Sequence, residues 1–237
     1  MDERLLLWIN QGWAHPLLDG LFWLVSQRLW FAFPLAAILL YDSVRRCGRA
    51  GGKLFLLLAA TVAVGDVLGN LLKDLFAEPR PCQAAFELLR GFDGPLSGPC
   101  GSDPNGMPSN HAVNFFAAAT FVALVTPWRG WRVGLFAAAA LVGLSRIYLG
   151  KHYPSQVVAG AMIGATIGWM GAWLAVRYRA TLGLPPAREP PSGRTAIPTP
   201  TEMSMSMSQT DHRVALPPHH LSLVVPLYNE LDNVVPL

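Results

Sequence analysis

Charge is scarce in this sequence. Asp, Glu, Lys and Arg make up 14% of its 237 residues, against about 25% in an ordinary soluble domain. Three cysteines exclude a multi-disulfide scaffold and a four-cysteine zinc site. Eighteen basic and fifteen acidic residues leave a formal charge of +3. That balance excludes a basic nucleic-acid binder and an acidic disordered chain, so no nucleic-acid partner is expected. What is abundant is apolar: 52% of residues are hydrophobic. The expected fold class is all-α, a multi-span membrane helix bundle.

A spanning helix needs about 20 mostly apolar residues. Five runs qualify, at 21–41, 54–72, 111–125, 133–149 and 157–176. The third is short, which implies an upright helix or a locally thinned bilayer. Five such runs leave too little polar surface for a soluble bundle. Arg28 lies in the first run and Asp66 in the second; each must snorkel, pair or line a polar cavity. Leu5, Leu6, Trp8, Ile9 and Trp13 mark one face of an N-terminal interfacial helix. Its early acids and lack of a cleavage site distinguish it from a signal peptide. Gly160, Gly164 and Gly168 form a small-xxx-small ladder, which lets another helix of the same chain approach closely.

Loop charge sets the expected orientation. Arg45, Arg46, Arg49 and Lys53 lie in one connection, Arg129 and Arg132 in another, and Arg177 and Arg179 follow the last span. The positive-inside rule places all three in the cytoplasm, and with them the C-terminus. The connection 73–110, with five acids against three bases, then faces outward, in a bacterial inner membrane the periplasm. Trp128 and Trp131 suit the cytoplasmic headgroup belt. Cys82 and Cys100 both lie in the outward connection, where an oxidising compartment permits a bridge; two separate thiols is the equal alternative. Cys47 is expected to stay reduced.

The chain divides into a membrane domain at 1–180, a linker at 181–220 and a segment at 221–237. The linker holds eight prolines between Leu184 and Pro218 and too few apolar residues for a core. The segment LSLVVPLYNELDNVVPL resembles the first strand and loop of family 2 glycosyltransferases that act with polyprenyl phosphates. Only seventeen residues of that fold are present, so no transferase activity is expected. The stretch reads as the start of a fused or truncated protein.

Three polar clusters sit at the outward ends of spans. Lys73-x6-Arg80-Pro81 offers two cations at fixed separation, a point charge and a bidentate fork that suit phosphate. Interfacial snorkelling would also explain them. Pro108-Ser109-Asn110-His111 opens the third span. Ser109 or Asn110 is an N-cap, the helix start offers N–H groups to an anion, and His111 stands beside it as a proton donor. Ser145-Arg146-x5-His152-x3-Gln156 joins the last two spans. A neutral, oriented imidazole there can attack phosphorus.

Taken together the clusters resemble the type 2 phosphatidic acid phosphatase superfamily, whose signature runs KxxxxxxRP, PSGH and SRxxxxxHxxxD. The resemblance covers about residues 5–178. It implies a six-helix bundle, here five spans plus the N-terminal helix. It implies that His152 is a nucleophile forming a phosphohistidine and that His111 protonates the leaving oxygen. Lys73, Arg80, Ser109 and Arg146, with the Asn110 backbone N–H, would bind the phosphoryl oxygens. No metal and no cofactor are required. Two positions depart from the signature. Asn110 stands for Gly, tolerable if only its N–H matters. Gln156 stands for Asp; its amide oxygen accepts a hydrogen bond but carries no charge. The glucose-6-phosphatase branch also looks to carry Gln there. Asp66 is a distant candidate for the missing charge.

The implied function is an integral membrane phosphatase acting on a lipid phosphate or diphosphate, with membrane lipids around it. Polyprenyl (undecaprenyl-type) diphosphate leads, because the glycosyltransferase-like tail would use its product, an associational link. Phosphatidate or phosphatidylglycerophosphate is the alternative substrate. A catalytically weak membrane anchor for a fused transferase is the alternative function, and Gln156 is its support. A haloperoxidase reading is disfavoured because those enzymes are soluble.

Overall fold

The computed structural model describes residues 1–84, 86–90, 104–181 and 183; the expected linker and the segment 221–237 lie outside the described residues. Among the described residues there are helices and no strands. The helices are α1 (Asp2–Gly12), α2 (Pro16–Ser26), α3 (Phe33–Cys47), α4 (Arg49–Phe76), α5 (Pro81–Ala84), α6 (Asn110–Val125), α7 (Arg129–Tyr148) and α8 (Pro154–Arg177). Those of α4, α7 and α8 are each long and apolar enough to cross a membrane.

The first expected span is not one helix. Helices α2 and α3 meet at an 80° bend, with a π-helical turn at Arg28–Ala32 between them. The polar run Ser26-Gln27 interrupts the apolar pattern, and Gln27 leaves helical geometry with ψ of 126°. Counted as one broken span, the pair is a fourth crossing. Helix α6, with 16 residues, is about 24 Å long at 1.5 Å per residue, shorter than a bilayer core.

Helix α6 compensates by being central. It packs against α4, α7 and α8 and buries Ala112, Val113, Ala117, Ala119, Phe121, Val122 and Val125. Glycines on both flanking helices admit it. A Cβ at Gly160 would stand 2.6 Å from the Ser109 carbonyl oxygen, and those at Gly164 and Gly168 would overlap the Val113 and Ala117 carbonyls. The glycine ladder thus seats a helix of the same chain, as the sequence implies. On the α4 side, a Cβ at Gly65 would press on Val113.

Antiparallel threading sorts the ends. Helices α4 and α7 finish, and α6 and α8 start, at one end of the bundle, while Arg45, Arg46, Arg49, Arg129, Arg132 and Arg177 lie at the opposite ends of their helices. The far end is closed by Asp42, which accepts from Arg46 and from the Trp131 indole N–H at 2.7 Å. At the near end, α1 buries Leu6 and Ile9 against Tyr148 and Phe22 and leaves Trp8 exposed. Arg90 ties this end together. Its guanidinium grips both oxygens of Asp19 on α2, its backbone N–H meets the Asn10 amide oxygen on α1, and the Tyr148 hydroxyl on α7 donates to the same Asp19. Cys82 is disulfide-bonded; its expected partner Cys100 lies outside the described residues. Cys47 is a free thiol.

Substitution at two helical glycines is expected to have opposite signs. Gly164→Ala collides with the Val113 backbone and should cost about 1–3 kcal/mol, whereas Gly134→Ala, with no atom within 4 Å of the added Cβ, should gain about 0.5–1 kcal/mol of helix stability. Thermal unfolding of the two variants in detergent measures both.

Candidate active site

The first cluster is shaped by the way α4 stops. Ala77 takes a left-handed conformation (φ 46°) and returns its N–H to the Lys73 carbonyl at 2.9 Å. The chain then leaves the helix axis as Glu78-Pro79-Arg80-Pro81. The Arg80 backbone N–H is held by Gln83 Oε1 at 2.8 Å. Its Nε is buried without a hydrogen-bond partner among the described residues, and burial weighs against its charge, pulling its pKa down.

The second cluster is strapped onto the first and third. The Gly106 N–H donates to the Glu78 carbonyl at 2.8 Å, and the Ser109 N–H donates to the Gln156 carbonyl at 3.1 Å. Ser109 occupies the N-cap position of α6, but its side chain makes no cap bond. The expected capping hydroxyl is therefore uncommitted: Ser109 is fully buried and its Oγ has no partner among the described residues. A buried donor of that kind is costly unless something accepts from it.

Asn110 explains its own departure from glycine. Its side chain turns into α4, where Nδ2 donates to Asn70 Oδ1 at 2.7 Å and to Asp66 Oδ1 at 3.3 Å. Asn114, one turn on, donates to the same Asp66 oxygen at 2.9 Å. Asp66 is thus paired, as a charge in a membrane helix must be, and its partners are asparagines of α4 and α6. It makes no hydrogen bond to His152 or Gln156 among those described.

The third cluster carries the His152 imidazole. Arg146, in the last turn of α7, donates through Nη1 to Ser26 Oγ, which places the break after α2 against the site. Gly150 has φ of 63°, and this turn folds the next residues back so that the Lys151 and His152 N–H groups both donate to the Arg146 carbonyl, at 2.9 and 3.1 Å. His152 is 2% exposed. Its Nδ1 lies 2.8 Å from the Gly106 carbonyl oxygen and 3.3 Å from Gln156 Oε1. A carbonyl only accepts, so Nδ1 carries the proton and Nε2 holds the lone pair. Burial first, then the positive charges of Arg146, Arg80, His111 and Lys73, push the His152 pKa well below the ordinary histidine value. The imidazole is neutral at neutral pH, and residues from all three clusters act on it.

Four contributors were not legible in the motifs. Lys151 is buried beside His152, and burial together with Arg146 and Arg80 lowers its pKa to about 8; adjacency to His152 was the one signal in sequence. Ser26 and the Gly106 carbonyl carry no sequence mark. Glu78 does not either: its carboxylate receives the Gln156 amide at 3.2 Å.

Residues 54–180 match the family described as the PAP2 superfamily. A lipid A 4'-phosphatase of Porphyromonas gingivalis is 25% identical over 173 residues, 71% of this chain and 70% of that protein. An undecaprenyl-diphosphatase of Sulfolobus acidocaldarius is 30% identical over 156 residues, 65% of this chain and 68% of that protein. The crystal structure of Aquifex aeolicus LpxE is similar at a TM-score of 0.53 and 26% identity, covering 72% of this chain and 93% of that one. Matches to other curated relatives span as little as 18% of the relative's length. The apolar helices and these relatives make the chain an integral membrane protein. With more than half of its 237 residues inside the family match and its helix bundle shared with a solved relative, the chain belongs to the PAP2 superfamily.

Proposed function

We propose that the chain is a membrane phosphatase that hydrolyses a lipid phosphate or diphosphate through a phosphohistidine. The observation that carries this is one ring: a buried, neutral His152 whose Nδ1–H is tied to the Gly106 carbonyl and whose surroundings are cationic. Nε2 attacks phosphorus as the bond to the leaving oxygen breaks, and His111 gives that oxygen its proton. Water then cleaves the P–N bond, with His111 now taking a proton from it. Lys73, Arg80, Arg146, the Ser109 hydroxyl and the Asn110 N–H hold the phosphoryl oxygens and balance the transition-state charge without a metal. We add Lys151 to that set.

Polyprenyl diphosphate is the leading substrate, supported by the undecaprenyl-diphosphatase relative. A phosphorylated glycolipid is the second reading, supported by the lipid A phosphatase relative and the LpxE likeness. Purified protein should release phosphate from undecaprenyl diphosphate faster than from lipid A or phosphatidate. His152→Ala should abolish release from all three, by a factor of about 10³ or more. Turnover equal to that of His152→Ala would mean an anchor, not an enzyme.

Lys151 sets an alkaline limit. Below pH 8 its ammonium is charged and available to phosphate; above pH 8 it is lost. The expected result is a fall in kcat/KM above about pH 8, moved to higher pH in Lys151→Arg, whose guanidinium stays charged. The pH profiles of the two proteins decide it.

The site faces outward in this proposal, because the arginine-rich helix ends lie opposite to it. Cys47 lies at that arginine-rich end, closing α3. In a Cys82→Ser/Cys100→Ser variant, a membrane-impermeant maleimide should label Cys47 only after intact cells are permeabilised.

A further inference from the structure

Gln156 presents a difficulty that its surroundings resolve. An amide at this position brings no charge to the imidazole, yet the side chain is only 1% exposed and fully engaged. Its Oε1 accepts from the Tyr153 N–H at 3.1 Å and faces His152 Nδ1–H at 3.3 Å. Its Nε2 donates to the Pro79 carbonyl at 3.1 Å and to Glu78 Oε2 at 3.2 Å. Flipping the amide would set donor against donor on one side and acceptor against acceptor on the other, so these neighbours fix its orientation. Gly106 closes the arrangement. Its carbonyl accepts the hydrogen bond from His152 Nδ1–H, its N–H donates to the Glu78 carbonyl, and a Cβ there would stand 2.5 Å from Gln156 Nε2.

We propose that Glu78 is a positioning residue for the reaction: its carboxylate acts through the Gln156 amide on His152 and supplies, one residue removed, the negative charge that position 156 lacks. A carboxylate at Nε2 polarises the amide and makes Oε1 a stronger acceptor for Nδ1–H. The effect grows as Nε2 bonds to phosphorus and the ring becomes positive, so it favours the transition state over the ground state. Atoms balance without Glu78 or Gln156 changing protonation. The P–N bond forms, the P–O bond breaks, His111 supplies the proton to the leaving oxygen, and Nδ1 keeps its own. The proposal rests on His152 being the nucleophile.

Glu78→Gln tests it, because it removes the charge while leaving the backbone carbonyl that holds Gly106. Glu78→Gln is expected to lower kcat about tenfold with KM unchanged. It should also move the acidic limb of kcat/KM down by about half a pH unit, since a lost negative charge lowers the pKa of the ring. The other charged groups around the ring, Arg146, Arg80, Lys73, His111 and Lys151, are untouched. In a Gln156→Ala background the same substitution should have no further effect on kcat. An unmoved acidic limb, or an equal loss of kcat with and without Gln156, overturns the proposal. Should Gln156→Ala not fold, the pH profile of Glu78→Gln decides alone. His152→Ala separates the two readings. If it is inactive while Glu78→Gln behaves as wild type, only the role of Glu78 falls; if it is active, the nucleophile assignment and the role of Glu78 fall together.

Discussion

One hydrogen bond organises the site, the 2.8 Å contact from His152 Nδ1–H to the Gly106 carbonyl. A free imidazole divides its proton between two nitrogens and titrates near neutral pH. Here a backbone oxygen selects one tautomer, and burial among cations keeps the ring neutral. Both effects depend on the loop before α6 being strapped to the loop after α4, through Gly106 and Glu78, and to α8, through Ser109 and Gln156. The tautomer and charge of the ring are therefore a property of how three helix ends are fastened, more than of any single side chain.

That fastening needs a bundle that does not shift. Helix α6 is short but gripped on two faces by glycines, so its backbone touches α8 where side chains would otherwise separate them. Close approach strengthens the dispersion contacts between the two helices. Asp66 adds a polar fastening between α4 and α6 in a setting where water competes weakly. The outer knot of Arg90, Asp19, Tyr148 and Asn10 does the same for α1, α2 and α7.

Much of this was readable beforehand, for identifiable reasons. Apolar run length gave α4, α7 and α8, because a membrane leaves the backbone few alternatives to a helix. The three polar clusters stood out because charge is rare elsewhere in the chain. What escaped were features set by contacts across the chain. The bend after Ser26 depends on polar residues that run length averages away. Ser109 occupies a capping position without capping, which only coordinates distinguish. The sequence offers Asp66 for the charge missing at Gln156; the carboxylate that reaches Gln156 is Glu78, 78 residues distant in sequence. Backbone acceptors such as Gly106 leave no sequence trace at all.

The turn of Asn110 into α4 couples it to a neighbouring glycine. Its Oδ1 lies 2.5 Å from where a Cβ on Gly69 would stand, and its Nδ2 serves Asn70 and Asp66. A side chain at position 69 would push the Asn110 amide away from Asn70 and Asp66. Glycine at 110 would make room for a side chain at 69, but would take one amide donor from the Asp66 carboxylate. The effects of substitutions at 69 and 110 are therefore expected to be coupled rather than additive.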